Sequence, residues 1–164
     1  MSQRIVLATH NPHKVEEFAA IVAAVRPDLE VVGYDGPEPV EDGITFAENA
    51  LIKARAAAAH TGLAALADDS GICVDVLGGA PGVFSAYWAG HRKDAGANLD
   101  LLLDQLSDIA EPHRGAQFVE LLLGLGATAA GLFLGAAQDL PAAADEQRVQ
   151  HQRDRHVDGP ADRR

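Results

Sequence analysis

The sequence predicts an α/β fold, and three observations carry that prediction. Short β-prone apolar runs alternate with segments of helical periodicity over roughly the first three-quarters of the chain. The helical segments carry their own start and stop residues. Polar and Gly-containing segments fall where apolar strands end, the usual place for chemistry in open α/β sheets.

Arg4–Ala8 is the first apolar β-prone run, and it ends in Thr9-His10-Asn11-Pro12-His13-Lys14. A helix follows, because Phe18, Ile21, Val22 and Val25 recur at i, i+3, i+4 and i+7. Pro27 and Asp28 stop it. Glu30–Gly33 reads as a second short strand, and a Pro-rich acidic loop runs from Asp35 to Gly43. Thr45-Phe46-Ala47-Glu48 has the spacing of a capping box, so an Ala-rich helix is expected from there to about Thr61, closed by Gly62. Leu63–Ala67 is a strand that stops at Asp68-Asp69-Ser70-Gly71, and Ile72–Leu77 is another that leads into the turn Gly78–Gly82. Val83–Ala89 reads as partly extended, Asn98–Leu106 as an amphipathic helix, and Gly115–Val119 as the start of a further strand. No internal repeat is visible.

The chain has 164 residues and a formal net charge of -11. A surface that acidic repels bulk nucleic acid and anionic membranes, yet it admits a small anionic ligand if a cation neutralises it locally. One cysteine, Cys73, excludes an intrachain disulfide and a multi-thiolate zinc site, and its place in Ile-Cys-Val-Asp-Val-Leu reads as a buried thiol. No charged and then apolar leader opens the sequence, so the cytoplasm is the expected compartment.

Three constellations carry chemistry. Thr9, Asn11 and Lys14 stand at the start of a helix, where free N–H groups and the dipole favour phosphate. A lysine there opposes the dipole and needs another reason to be present. An ordinary turn, with Asn11 as N-cap and Pro12 at the first helical position, explains the same residues equally well. Asp68 and Asp69 are adjacent carboxylates that demand a cation or a proton, and hard oxygen ligands suit Mg²⁺. Strand alternation lets only one of them face a metal and leaves the other to the backbone or a buried lysine; an Asx-turn into Gly71 is the plainer reading. Glu41, Asn49 and Lys53 form the third set, with Asn49 and Lys53 on one helix face. His10 and His13 lack a third metal ligand, Ser70 and Ser85 lack a His–acid pair, and Tyr87 and Trp88 read as core or interface aromatics.

Taken together, VLATHNPHK (6–14), EDGITFAENALIKARAAA (41–58), LADDSGICVDVLGGAPGVFSA (66–86) and, more faintly, GAQFV (115–119) closely resemble the inosine triphosphate pyrophosphatase family. The resemblance implies an elongated mixed sheet flanked by helices, with a nucleotide cleft between two lobes, and usually a homodimer. It implies Mg²⁺-dependent hydrolysis of deoxyinosine, inosine and xanthosine triphosphates to the monophosphate and pyrophosphate. Carried over residue by residue, Thr9, Asn11 and Lys14 hold the triphosphate within the segment that also contains His10, Pro12 and His13. Lys53 supports the same charge and is counted with Asp69 as catalytic; Glu41 and Asp69 are metal ligands; Asp69 also resembles the proton acceptor; and Ser70 matches a substrate-contacting position.

The resemblance stops at Val119. The family's Gly-Phe-Gly-Tyr-Asp-Pro and Ser-His-Arg segments, which contact base and phosphate, do not occur here. Residues 120–140 are mostly Leu, Gly and Ala, and residues 141–164 are too polar to build a core. The expected organisation is therefore a pyrophosphatase-like domain over 1–119 with an incomplete second lobe, then a divergent tail over 120–164. The composition change reads as a shift of reading frame near codon 119. The apolar run is short and Gly-rich for a membrane span and reads as a loosely packed helix or strand. Besides the enzyme, three readings remain open: an inactive nucleotide- or metal-binding remnant, a related pyrophosphatase with another base preference, and a membrane anchor at residues 121–137.

Overall fold

The computed structural model describes residues 3–126 and 132–133. Its strands are β1 (Gln3–Leu7), β2 (Leu29–Gly33), β3 (Ala64–Val74), β4 (Ala116–Leu125) and β5 (Leu132–Phe133). Its longer helices are α1 (Pro12–Val25), α2 (Phe46–Thr61) and α3 (Ala95–Gln105). The strands form one mixed sheet in the order β2-β1-β3-β4-β5, which bears out the α/β class. β1 runs parallel to β2 and β3, while β4 runs antiparallel to both β3 and β5.

The helix ends follow the sequence closely. Asn11 caps α1 by accepting the His13 N–H, with Pro12 at the first helical position. Thr45 and Glu48 form the reciprocal capping box of α2, and Gly62 closes that helix at φ 69°, a left-handed geometry suited to glycine. The α2 face toward the sheet consists of small residues. Ala50, Ala54 and Ala57 are fully buried, and Ala54 and Ala57 pack with Val6, Ala8, Ala65 and Ala67 around Tyr34. Methyl-sized side chains let the helix axis approach the sheet closely, so residues further along that face of the helix come within reach of strand side chains. A second cluster, Val74 with Leu102 and Leu106, seats α3.

Several expectations are corrected. The two strands expected at Leu63–Ala67 and Ile72–Leu77 are one, β3, and Asp68-Asp69-Ser70-Gly71 lies inside it rather than in a turn. The reason is β4, which hydrogen-bonds along β3 from Ala65 to Val74 and carries the extended chain through Gly71. Val83–Ala89 is not extended: Gly82–Tyr87 is a 3-10 helix. Ser85 fixes it, accepting the Ile72 N–H at 3.0 Å and donating to the Gly82 carbonyl at 2.6 Å. α3 starts at Ala95 rather than Asn98, because Asp94 caps it through the Ala97 N–H. The apolar stripe of α1 is used only in part: Phe18 and Val22 are half-buried, whereas Ile21 and Val25 are exposed. Cys73 is half-buried rather than buried.

β4 passes residue 119 without interruption and ends at Leu125, so the first part of the Leu-rich run is strand. Among the described residues no helix is long and apolar enough to cross a membrane. The expected character of residues 141–164 lies outside the described residues.

Candidate functional site

The site follows from unequal strand lengths. β1 stops pairing with β3 at Leu7↔Leu66, and one further rung, Ala8 N–H to the Leu66 carbonyl at 2.7 Å, closes that side. β3 runs on for eight residues beyond, to Val74, with β4 as its paired strand there. The flank from Asp68 onward therefore opens into the crevice beyond the carboxyl end of β1, the expected ligand position in such a sheet.

Right-handed crossovers in the order β2-β1-β3 put α1 and α2 on opposite faces of the sheet. Alternation along β3 then sends its two acids to different helices. Asp68 accepts from Lys14 of α1 at 2.5 Å, and Asp69 accepts from Lys53 of α2 at 2.8 Å. The odd-numbered face of β3, Ala65 and Ala67, is the one that packs with Ala54 and Ala57 of α2, and Asp69 continues it. Both carboxylates are thus tied to lysines, where the sequence led us to expect one facing a metal. The pairing with Asp68 also supplies a reason for a lysine at the unfavourable end of the α1 dipole.

Lys53 makes a second ion pair, with Glu41 at 3.5 Å, so one ammonium stands between Glu41 and Asp69. These side chains are only 17%, 33% and 12% exposed, which limits solvent screening of the triad. Lys14 is more open and also lies 3.9 Å from Glu120 of β4.

Thr9, His10, Asn11, Lys14, Glu41, Lys53, Asp69 and Ser70 all line one cleft of about 280 Å³. Pro12 and His13 do not line it; Pro12 borders a neighbouring groove instead. The helix terminus also has fewer spare donors than the sequence suggested. The Asn11 N–H is taken by Thr9 Oγ1 at 3.2 Å, the His13 N–H by Asn11 Oδ1 at 3.0 Å, and Pro12 has none. The Thr9 hydroxyl, the Asn11 side-chain nitrogen and Lys14 are the side-chain donors toward an anion there. His10 donates from Nε2 to the Gly36 carbonyl at 2.8 Å and so anchors the acidic loop.

Four polar or charged lining residues escaped the sequence reading as site residues: Tyr34, Glu38, Tyr87 and Lys93. Tyr87 was expected as a core or interface aromatic, yet it forms cleft wall, its ring stacked on His91 at 5.8 Å and 22°. The segment that carries it is pinned to α3, for Asn98 donates to the Ala86 carbonyl at 2.8 Å and accepts the Ala89 N–H at 2.7 Å. Lys93 has a left-handed backbone, φ 53°, rare for a residue with a Cβ. Nothing in the local sequence pattern distinguishes these positions from an ordinary loop.

The lining acids Glu38, Glu41, Asp68 and Asp69 outnumber the lysines Lys14, Lys53 and Lys93 by four to three. A polyphosphate entering here needs more positive charge than the cleft supplies. No group of three or more His, Cys, Asp or Glu able to hold a metal is assembled among the described residues. Glu41 and Asp69 nonetheless offer two hard oxygen donors on either side of one ammonium. That donor set suits Mg²⁺, which commonly takes one or two carboxylates and fills its shell with water and phosphate oxygens.

Comparison with known proteins gives one consistent answer. A family model described as the Ham1 family matches residues 5–137. The chain is 66% identical over 119 residues to a dITP/XTP pyrophosphatase of Leifsonia xyli subsp. xyli, an alignment covering 73% of this chain and 60% of that protein. It thus spans 60% of the length of that relative. A HAM1 protein from Coxiella burnetii superposes with a TM-score of 0.72 at 33% identity, covering 80% of this chain and 68% of that one. The crystal structure of a nucleoside-triphosphatase, or dITP/XTP pyrophosphatase, from Mycobacterium abscessus superposes with a TM-score of 0.68 at 32% identity, covering 97% of this chain and 100% of that one.

Proposed function

The chain belongs to the Ham1 family, and from that premise we propose that it hydrolyses deoxyinosine, inosine and xanthosine triphosphates to the monophosphate and pyrophosphate, with Mg²⁺. The observation that carries the proposal is the convergence of Thr9, Asn11 and Lys14 with Glu41, Lys53 and Asp69 on one cleft. The named activity of the Leifsonia relative agrees with it.

Hydrolysis of the α–β phosphoanhydride asks little covalent chemistry of a protein. Water attacks the α-phosphorus, the bond to the bridging oxygen breaks, and pyrophosphate leaves. Lys14 and the Asn11 amide grip phosphate oxygens and hold the chain of phosphates in line. Glu41 and Asp69 would hold Mg²⁺, which when bound supplies the positive charge that the cleft lacks. Asp69 takes the proton that water gives up. Lys53 orients Asp69 by donating to Oδ1 and offsets charge as pyrophosphate departs. Ser70 meets the substrate beside Asp69.

Pyrophosphate release from deoxyinosine triphosphate with Mg²⁺ tests the proposal. Asp69→Asn removes the proton acceptor and is expected to cost about 10²- to 10⁴-fold in turnover. Unchanged turnover in that variant defeats the assignment of Asp69. Triphosphate binding without any turnover by the wild-type chain marks it instead as a binding remnant. A homodimer belongs to the same proposal, and sedimentation equilibrium measures it.

A further inference from the structure

Asn49 is the one polar side chain buried among the described residues, with 1% of its surface exposed. It stands on α2 one turn before Lys53. Both ends of its amide are used. Oδ1 accepts the Gly43 N–H at 2.9 Å, and Nδ2 donates to Asp69 Oδ2 at 3.4 Å. The other Asp69 oxygen takes Lys53 at 2.8 Å, so both oxygens of this carboxylate are held from one face of α2. Gly43 is two residues beyond Glu41, which pairs with the same Lys53. A Cβ at position 43 would press to 2.6 Å on Asn49 Oδ1, so glycine is what lets the loop backbone come this close.

One amide therefore joins the loop that carries Glu41 to the strand that carries Asp69, in a place where water does not compete for its hydrogen bonds. We propose that Asn49 is a positioning residue that fixes the spacing of Glu41 and Asp69 and so presets the pair that would receive Mg²⁺. The inference rests on the pyrophosphatase reading. It adds a residue that touches neither substrate nor metal and acts through Asp69 and the Gly43 backbone. Capping the loop alone would account for the bond to Gly43 but leaves the bond to Asp69 without a purpose.

Two variants separate the bonds. Asn49→Ala loses both; Asn49→Asp keeps an acceptor for Gly43 and sets a repelling oxygen against Asp69. In Asn49→Ala without nucleotide, amide exchange at Gly43 is expected to accelerate by about tenfold or more, and calorimetric Mg²⁺ titration to weaken by about tenfold. In Asn49→Asp the Gly43 amide stays protected, while kcat for deoxyinosine triphosphate falls about tenfold or more with KM within about twofold. A folded Asn49→Ala whose Gly43 exchange and Mg²⁺ titration overlay the wild type overturns the proposal, as does an Asn49→Asp enzyme at full turnover. If Asn49→Ala does not fold, the nearly isosteric Asp variant decides. If the wild type turns over no triphosphate, the proposed function fails, and the exchange and Mg²⁺ titrations still judge the positioning by themselves.

Discussion

At the scale of single residues, the site is a set of compensated charges. Lys53 separates two carboxylates that would otherwise face each other, and all three are more than half buried. Lys53→Met keeps the aliphatic stem and removes the charge. It leaves Asp69 with one weak donor and Glu41 with none from α2, so a loss of about 1–3 kcal/mol is expected in urea denaturation, together with lost turnover. A second residue-scale prediction lies far from the cleft. Arg26 donates to both oxygens of Asp28, at 2.9 and 2.8 Å. Those hydrogen bonds lower the carboxyl from 3.8 to about 2. Because the folded value is the depressed one, the pair's contribution is complete above the ordinary value and is lost as pH falls through about 2. A carboxyl-carbon NMR titration is expected to show this depression, and Arg26→Ala to return Asp28 to its ordinary range. Some of this scale was readable. Lys53 and Asn49 share a helix face by spacing alone, and an isolated lysine at a helix start asks for an anion. The partnership of Lys14 with Asp68 spans 54 positions, and only the folded sheet joins them.

At the scale of elements, helix ends were legible because capping is local chemistry. Thr45, Glu48, Asn11 and Gly62 do in the structure what their order in the chain implies. Strand ends were not. Asp68-Asp69-Ser70-Gly71 has the composition of a turn, but β4 supplies the hydrogen bonds that keep it extended. Val83–Ala89 has strand-like apolar residues, but Ser85 folds the chain back on Gly82. Asp94 is a good cap for α3, yet Gly96 and the lack of a large apolar residue between Asp94 and Leu99 hid that helix start. Gly71 is where two of these elements touch. A Cβ there would overlap the Gly82 carbonyl oxygen and sit 2.5 Å from Ser85 Oγ and 3.1 Å from Phe46 Cε1. The backbone on one side cannot yield without lifting the 3-10 segment that carries Tyr87. Gly71→Ala is therefore expected to cost about 1–3 kcal/mol in chemical denaturation and to weaken nucleotide binding, whereas Gly62→Ala, with open space around its Cβ, should strain only a helix end.

At the scale of the whole molecule, strand order was not readable, because β1 owes its interior place to pairing with strands that follow it by more than twenty residues. The class and the crevice beyond β1 were readable from the alternation of elements. The stretch after Val119 is another place where fold and sequence speak differently. β4 continues to Leu125, but backbone pairing is indifferent to side-chain identity, and any run rich in Leu can pair with β3 and pack against α2. The continuous strand therefore carries no information about reading frame. Sequence identity with the Leifsonia relative spans 119 residues, whereas the family model continues to residue 137. We propose a frame shift near codon 119, which would account for identity to the relative that ends there while the strand goes on. Sequencing the gene across codons 115–125 is expected to find an insertion or deletion whose repair restores the Gly-Phe-Gly-Tyr-Asp-Pro segment downstream. An intact frame with no such restoration removes the idea. The repaired chain should then discriminate deoxyinosine from deoxyadenosine triphosphate in the pyrophosphate assay more sharply than this one, since phosphate and metal contacts alone are common to every triphosphate and carry no base preference.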